Sequence, residues 1–313
     1  MKLDWKARLA RVDWKVWKPR LGYGGFALLA FVLSLRWTFP AEAVKQRLIL
    51  EAGARGWQIE VGQVGPGAVL GVRATDVRLD DGSGLRIPLD EVSASLRLLP
   101  LLAGRQVLEF DGRVFDGRVA GMAQLNGDRR PFAFEVKGVD LARALPLRKA
   151  TGIDLAGKLA GQVDVVLPGR PQDRATGRID LTVTGAGVEG GQVPVPGMGG
   201  TYPLPKIGLG DLVAAVRLDQ GKAVAEKLEL RGGDAELTGE GLTVILQPRL
   251  EYAPLMGKAR IALQPSLWTR SGTSGLKSIA ELALAPSRTP DGGYQFAVFG
   301  TLGHPQLRPA GGP

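Results

Sequence analysis

The stretch that decides the fold is DLVAAVRLDQGKAVAEKLELRGGDAEL, residues 211–237. Apolar side chains recur at every second residue from Leu212 to Leu218, and again at Leu228 and Leu230. The short glycine-bearing segments DQG and RGGD separate these runs and are typical of turns. Because neighbouring residues of a strand face opposite sides, a period of two gives each strand one apolar row. The stretch therefore predicts antiparallel hairpins with one apolar face and one solvent-exposed polar face.

The same period of two recurs along most of the chain after Trp57. Clusters of glycine and aspartate separate the runs, so we expect one hairpin to follow another. Residues 139–145 predict a short helical turn that Pro146 ends, and this turn divides the β region into a first half, 57–147, and a second half, 148–303. We expect a flexible tail at 304–313. The remaining predicted strands contain the runs 59–61, 72–74, 92–98, 107–110, 114–125, 132–136, 155–167, 179–183, 235–237, 242–246, 259–263, 280–284 and 294–298.

So many strands with one apolar face need cover for that face, and the sequence predicts almost no helix to provide it. The expected fold is mainly β: an extended, strongly curved antiparallel sheet that forms a groove, a sandwich or an open barrel. Glycines within the strands, such as Gly117, Gly121 and Gly161, favour strong bending. The apolar face is either a self-packed core or a groove that accepts lipid acyl chains. The predicted groove lining is Val163, Val165, Leu181, Val183, Val216, Leu218, Leu228 and Leu230.

Residues 21–39 form an apolar run whose single charge is Arg36. As a helix this run would be roughly 28 Å long, close to the ~30 Å hydrocarbon core of a bilayer. Residues 1–20 contain seven basic and two acidic side chains, so we expect this tail to stay in the cytoplasm. The sequence therefore predicts a single transmembrane anchor at 21–39, with all later residues on the outer side of the membrane.

The segment after the run predicts an amphipathic helix at 40–56. Pro40 suits a first helical turn, and Gly53 and Gly56 favour its end. An alternative interpretation of the N-terminus is a signal peptide cleaved after Ala43, because Ala41-Glu42-Ala43 has the A-x-A pattern of a cleavage site. The bulky residues just before this site are unlike the small residues that usually end a signal peptide.

The composition argues against several classes of partner and chemistry. The formal charge is +9 at pH 7, but more than half of it comes from residues 1–20, so we expect no nucleic-acid partner. The chain has no cysteine, which excludes disulfides and thiolate metal sites. His304 is the only histidine, so a His-rich metal site is excluded and a histidine general base has one poorly placed candidate.

Two short matches to catalytic or cofactor motifs lack the context that the motifs need. Residues 185–190 match the glycine pattern of dinucleotide-binding sites, but glycines and prolines follow where a helix must begin. Ser274 and Lys277 have the S-x-x-K spacing of serine acyl-enzymes but lie in a glycine-bearing loop. We therefore predict a protein that is not an enzyme and that needs no cofactor or metal.

Several segments together resemble the type II secretion system protein N family. They are the anchor, the helix before Trp57, the strand entry GIDLAGKLAG at 152–161, the stretch LPKIGLGDL at 204–212, and the closing GTL at 300–302 with Pro305. This resemblance implies a bacterial inner-membrane accessory of the machinery that moves folded proteins across the outer membrane, with a periplasmic β domain and other secretion components as partners. The strand pattern is also similar, more faintly, to AsmA-type β-repeats of lipid-handling envelope proteins.

Two functions of different class follow from these expectations. In the first, the β domain is a scaffold that binds secretion components through edge strands and surface loops. In the second, the aliphatic face carries lipid acyl chains. The sequence leaves both open, because it does not show which strands pair or whether the sheet closes.

Overall fold

The computed structural model describes residues 37–54, 57–68, 70–80, 86–144, 152–168, 175–194, 201–247, 249–269 and 284–310, with residues 22–23, 26–27, 30, 33–34, 148, 277 and 281 in addition. Two α-helices and fifteen strands have defined bounds in this part of the chain. They are α1 (Ala41–Gly53), β1 (Gln58–Pro66), β2 (Gly71–Asp80), β3 (Arg86–Leu96), α2 (Leu98–Leu102), β4 (Val107–Val114), β5 (Gly117–Gln124), β6 (Arg129–Asp140), β7 (Ile153–Pro168), β8 (Thr176–Pro194), β9 (Thr201–Pro203), β10 (Ile207–Asp219), β11 (Lys222–Gly232), β12 (Ala235–Ile245), β13 (Leu255–Leu263), β14 (Tyr294–Gly300) and β15 (Pro305–Pro309).

Fourteen of these strands form one antiparallel sheet in simple chain order. Each strand pairs with the strand before it and the strand after it, from β1 to β8 and from β10 to β15, with β8 next to β10. The short strand β9 pairs with the last residues of β8. The outer strands β1 and β15 do not pair with each other, so the sheet is open. The prediction of a mainly β, antiparallel fold is confirmed, and the described residues contain neither a closed barrel nor a sandwich of two sheets.

The turn between β10 and β11 shows why the deciding stretch forms a hairpin. Asp219 pairs with Lys222 across a two-residue turn. Both central residues, Gln220 (φ 48°) and Gly221 (φ 76°), have positive φ. Such a turn has the twist that antiparallel strands need, and glycine adopts this backbone conformation without strain. The predicted turn at DQG is therefore confirmed.

Three local predictions differ from the structure. The predicted helical turn at 139–145 is shorter, because β6 continues to Asp140 and only Leu141–Arg143 forms a 3-10 turn. The predicted flexible tail contains β15, since residues 305–309 pair with β14. The strand expected at 280–284 is wrong at its described positions, Glu281 and Leu284, which are helical. A short apolar run is compatible with both the two-residue period of a strand and the 3.6-residue period of a helix, so the sequence pattern alone does not distinguish them there.

The N-terminal predictions are described only in part. Helix α1 lies within the predicted range 40–56, and none of its side chains is buried. Residues 1–20 lie outside the described residues, and so do nine of the nineteen residues of the predicted anchor at 21–39. Among the described residues, no helix is both long enough and apolar enough to cross a membrane.

Candidate apolar binding face

All eight residues predicted to line a groove lie on one face of four neighbouring strands, β7, β8, β10 and β11. Residues that pair directly across antiparallel strands point to the same side of a sheet. The pairing gives the rows Val165–Gly177–Leu218, Val163–Ile179–Val216, Leu181–Ala214–Leu228 and Val183–Leu212–Leu230. The eight side chains therefore form one aliphatic surface, which we call the apolar face.

The apolar face continues over the rest of the sheet. One row of paired residues crosses ten strands without a polar side chain, and a second row continues to β14. The first row is Pro66–Val72–Ala94–Phe110–Gly121–Phe134–Val163–Ile179–Val216–Ala225. The second row is Val183–Leu212–Leu230–Leu237–Ile261–Tyr294.

The side chains of the apolar face are covered by their neighbours in the sheet but are not sealed from solvent. Val163, Val165 and Leu218 form one cluster and each remains 8% exposed. Among the described residues the largest side chain with under 2% exposure is that of Ser287. In a self-packed core of this size, large aliphatic side chains are usually fully buried. The side chains of the apolar face are therefore largely, but not completely, buried by their neighbours.

The described strands form one continuous sheet, and no second sheet is present among the described residues. The extensive contacts between elements join strands that are neighbours in the sheet. The helical segments contact only a few strands, as α1 contacts β1 and the 3-10 turn Ala285–Ser287 contacts β14 and β15. A sheet with one apolar face usually buries that face against another element. Here the described elements make no extensive contact of that kind, and the side chains of the apolar face are covered mainly by one another.

An aromatic cluster occupies one part of the apolar face. The ring centroids of Phe110 and Phe132 are 6.1 Å apart, and those of Phe132 and Phe134 are 5.3 Å apart. Phe110 belongs to β4 and the other two belong to β6, so the rings meet across β5. Gly121 lies on β5 opposite both Phe110 and Phe134. The absence of a side chain at Gly121 leaves the room in which the rings approach each other.

The opposite face carries charged side chains that pair across the strands. Arg73 of β2 lies 3.1 Å from Glu91 of β3, and Arg118 of β5 donates a hydrogen bond of 2.6 Å to Asp111 of β4. This hydrogen bond and the charge of Asp111 raise the pKa of Arg118. The four side chains line a cleft of about 540 Å³ on β2 to β5. Because these charged side chains remain partly exposed, we interpret this face as the one that faces solvent. Exposed ion pairs of this kind contribute little to stability.

The aspartates of two Gly-Asp dipeptides, Gly210-Asp211 and Gly233-Asp234, each accept a hydrogen bond from the backbone N–H of a glycine in an earlier strand. Asp211 accepts a 2.8 Å hydrogen bond from the backbone N–H of Gly185, and Asp234 accepts a 2.9 Å bond from that of Gly208. Asp234 is buried, whereas Asp211 is exposed. The sequence pattern indicates only a turn at Asp234 and does not predict this hydrogen bond. The repeated Gly-Asp dipeptide was the signal that could have revealed it.

The structure describes some of the residues that were considered for catalysis and leaves others out. Residues 185–190 lie inside β8 and pair with both β7 and β10, so they do not lead into a helix. His304 is exposed in the turn before β15. Ser274 lies outside the described residues. Within the described ranges, no group of three His, Cys, Asp or Glu side chains could hold a metal ion.

Comparisons of the chain with protein-family models, curated proteins and solved structures found no match. The geometry of the two faces of the sheet is therefore the basis for a functional conclusion.

Proposed function

We propose that this protein is a bacterial inner-membrane protein whose periplasmic sheet binds lipid acyl chains along its apolar face. The observation that carries this proposal is the continuous apolar row across an open sheet, with no extensive covering contact from the described elements. Apolar surface left in water costs roughly 25 cal/mol per Å². An aliphatic ligand removes that cost without needing polar partners. Register shifts between β7, β8 and β10 support a strongly curved sheet, which would form a groove.

The dimensions of the sheet fit long apolar chains. Neighbouring strands lie about 4.8 Å apart, so fourteen strands span roughly 60 Å. One leaflet of a bilayer provides an acyl chain with about 15 Å, half of the ~30 Å hydrocarbon core. The apolar face could therefore hold several acyl chains one after another, which suits a conduit better than a pocket for one molecule.

The energetics favour exchange of lipid with a membrane. An acyl chain gains about 0.8 kcal/mol per CH₂ group when it leaves water for an apolar environment. It gains almost nothing when it moves from a bilayer into an equally aliphatic groove. Binding is therefore strong relative to water and nearly neutral relative to the membrane, which is the balance that transfer between membranes requires.

Photocrosslinking in cells tests this proposal with a matched pair of neighbours. Leu181 is on the apolar face, and the next residue, Thr182, points to the opposite side because side chains alternate along β8. We replace each of them separately with p-benzoylphenylalanine in the full chain. After irradiation, mass spectrometry should find phospholipid attached at position 181 and not at position 182.

Two results would contradict the acyl-chain proposal. One is equal lipid labelling at the two positions, because this would show that lipid contacts both faces of β8 and does not prefer the apolar face. The other is no lipid at position 181 while the protein is present at normal abundance. In the second case, a crosslink from position 181 to another part of this chain would show that the apolar face is internally packed.

A second candidate function is an accessory role in type II secretion, as the sequence resemblance implies. The observation that favours it is the charged cleft on β2 to β5, which could bind a polar surface of another secretion component. Arg113 lines this cleft, so Arg113→Glu reverses a charge without changing the apolar face. If the second function holds, Arg113→Glu should reduce secretion of exoproteins and leave the lipid composition of the membranes unchanged. Normal secretion after deletion of the whole chain would refute this function.

Membrane anchoring through residues 21–39 is part of the proposal, and N-terminal sequencing tests it. The anchored protein should keep the residues before Ala43 and should resist extraction from membranes by alkaline carbonate. A mature N-terminus at Val44 would show instead that the segment is a cleaved signal peptide.

A further inference from the structure

The connection between β3 and β4 exposes an unusual amount of leucine. Helix α2 spans this connection, and the exposed fractions of Leu98, Leu99 and Leu102 are 46%, 81% and 84%. In a helix, positions three and four residues apart lie on the same side, so these three side chains form one outward stripe. We call residues 98–102 the leucine tip. The loops that connect strands are usually polar and do not expose three leucine side chains together.

The leucine tip is held in place by its surroundings. Asn126 of the β5–β6 turn donates a 2.8 Å hydrogen bond to the Gly104 carbonyl, and its side-chain oxygen accepts one of 2.8 Å from the Gln106 N–H. The backbone N–H groups of Ala103 and Arg105 both donate to the Pro100 carbonyl. The polar backbone groups that follow the leucines are therefore paired within the protein, as an apolar environment requires.

The leucine tip lies at the end of the sheet where helix α1 begins. The Lys45 ammonium group contacts the Gly62 carbonyl at 3.4 Å, while the end of α1 leads directly into β1. Helix α1 therefore runs back along β1, and its first residue, Ala41, lies about 6 Å beyond Lys45, toward Pro66. The β1–β2 turn follows Pro66, and the Leu96 N–H at the base of the tip donates to the Leu70 carbonyl in that turn.

Other side chains at this end fit the surface of a membrane. Leu70 and Leu125, in the β1–β2 and β5–β6 turns, are 42% and 47% exposed. Arg97 and Arg105 flank the leucine tip and are both exposed. Leucines between arginines are typical of segments that lie in a membrane interface, where the charged groups meet lipid phosphates.

We propose that the leucine tip inserts into the interface of the membrane in which the chain is anchored. This inference rests on the proposed anchor at 21–39, which ends just before α1 and so places the same end of the sheet at the bilayer. Insertion of the tip would give the sheet a second attachment point and would fix its orientation. The apolar face would then begin at the membrane surface, where acyl chains are available.

Fluorescence quenching tests the insertion, because the chain has no cysteine of its own. Leu99→Cys and Arg86→Cys each introduce one labelling site in the full chain, reconstituted into vesicles of phosphatidylethanolamine and phosphatidylglycerol. Arg86 is the control, since it begins the same strand β3 that leads to the tip, about 33 Å from Leu96. Each cysteine is labelled with an environment-sensitive dye, and part of the lipid is replaced by lipid brominated on its acyl chains.

We expect the dye at position 99 to emit at shorter wavelength and to lose most of its intensity with brominated lipid, while the dye at position 86 is unchanged. Equal, unquenched emission at both positions in a chain that floats with the vesicles would overturn the insertion and leave the anchor intact. A chain that does not float with the vesicles would overturn both. Leu102→Asp in the Leu99→Cys chain should reverse the quenching without loss of flotation, and unchanged quenching there would contradict insertion of the tip.

Discussion

At the scale of single residues, the sheet depends on positions where no side chain can be added. A Cβ atom at Gly121 would lie 2.3 Å from the Ala133 carbonyl oxygen and 2.5 Å from the Phe134 Cβ. At Gly112 on the adjacent strand β4, an added Cβ would make only ordinary contacts, the nearest at 3.5 Å. Both residues were part of the same strand pattern in the sequence. Only the positions of the neighbouring strands separate them.

We predict that Gly121→Ala destabilises the protein by about 1 to 3 kcal/mol, the usual cost of overpacking. The same change at Gly112 should be neutral or slightly stabilising, because alanine reduces the freedom of the unfolded chain. Chemical denaturation of the two full-length variants, followed by circular dichroism, measures the difference. Equal stability of the two variants would show that β5 and β6 do not approach as closely as the structure has them.

The buried aspartate gives a second residue-scale prediction. Asp234→Ala leaves the Gly208 N–H without its carboxylate partner in a buried site, so we expect a loss of about 1 to 3 kcal/mol. Asp211→Ala removes a bond of the same type and similar length, but at an exposed position where water replaces the carboxylate. This control should lose under ~1 kcal/mol. An equal loss in both variants would mean that burial does not decide the strength of these contacts.

At the scale of elements, both outer strands of the open sheet are protected. Helix α1 lies along β1, and Lys45 contacts a β1 carbonyl. Directly after β15, the Ala310 N–H donates to the Gln295 carbonyl of β14. Because backbone groups alternate in direction along a strand, the N–H groups at Gln306 and Arg308 also face β14. Positions 305, 307 and 309 face outward, and two of them are prolines without an N–H group. Such edges resist pairing with another chain.

We predict that the double substitution Pro305→Thr and Pro309→Thr makes the protein self-associate. The change restores two outward N–H donors and raises the β propensity of an exposed edge. Gln306→Thr is the control, since its N–H group already faces β14. Size-exclusion chromatography with light scattering should show dimers or larger species for the double variant only. Monomers in both cases would indicate that the prolines do not protect this edge.

The elements also show what the sequence could and could not predict. Alternation identified most strands and placed the eight groove residues on one face, because facing direction is a local property of a strand. It missed β15, whose two prolines and polar residues resemble a tail. It could not predict that the sheet stays open, since closure depends on whether β1 meets β15. The role of Gly121 and the burial of Asp234 likewise depend on strands distant in sequence.

At the scale of the whole molecule, the sheet resembles a one-dimensional array. Each strand makes its extensive contacts with its neighbours in the sheet. In such arrays, stability is approximately a sum of local and nearest-neighbour terms. The apolar face is a surface over which an aliphatic ligand could contact many of the described strands together. Bound acyl chains would therefore act as the second layer that the described elements do not provide.

If each strand is stabilised mainly by its neighbours, native-state hydrogen exchange of the full chain in vesicles should show protection that differs from strand to strand. Strands β7 and β8 are the longest, with 16 and 19 residues, whereas β15 has 5. Amides of β7 and β8 should therefore exchange slowest and those of β14 and β15 fastest, because an end strand can open without disturbing the centre. A detergent that competes with lipid for the apolar face should increase exchange most in the central strands. Uniform protection from β1 to β15, unchanged by such a detergent, would show that the molecule opens as one unit and that its apolar face holds no exchangeable ligand.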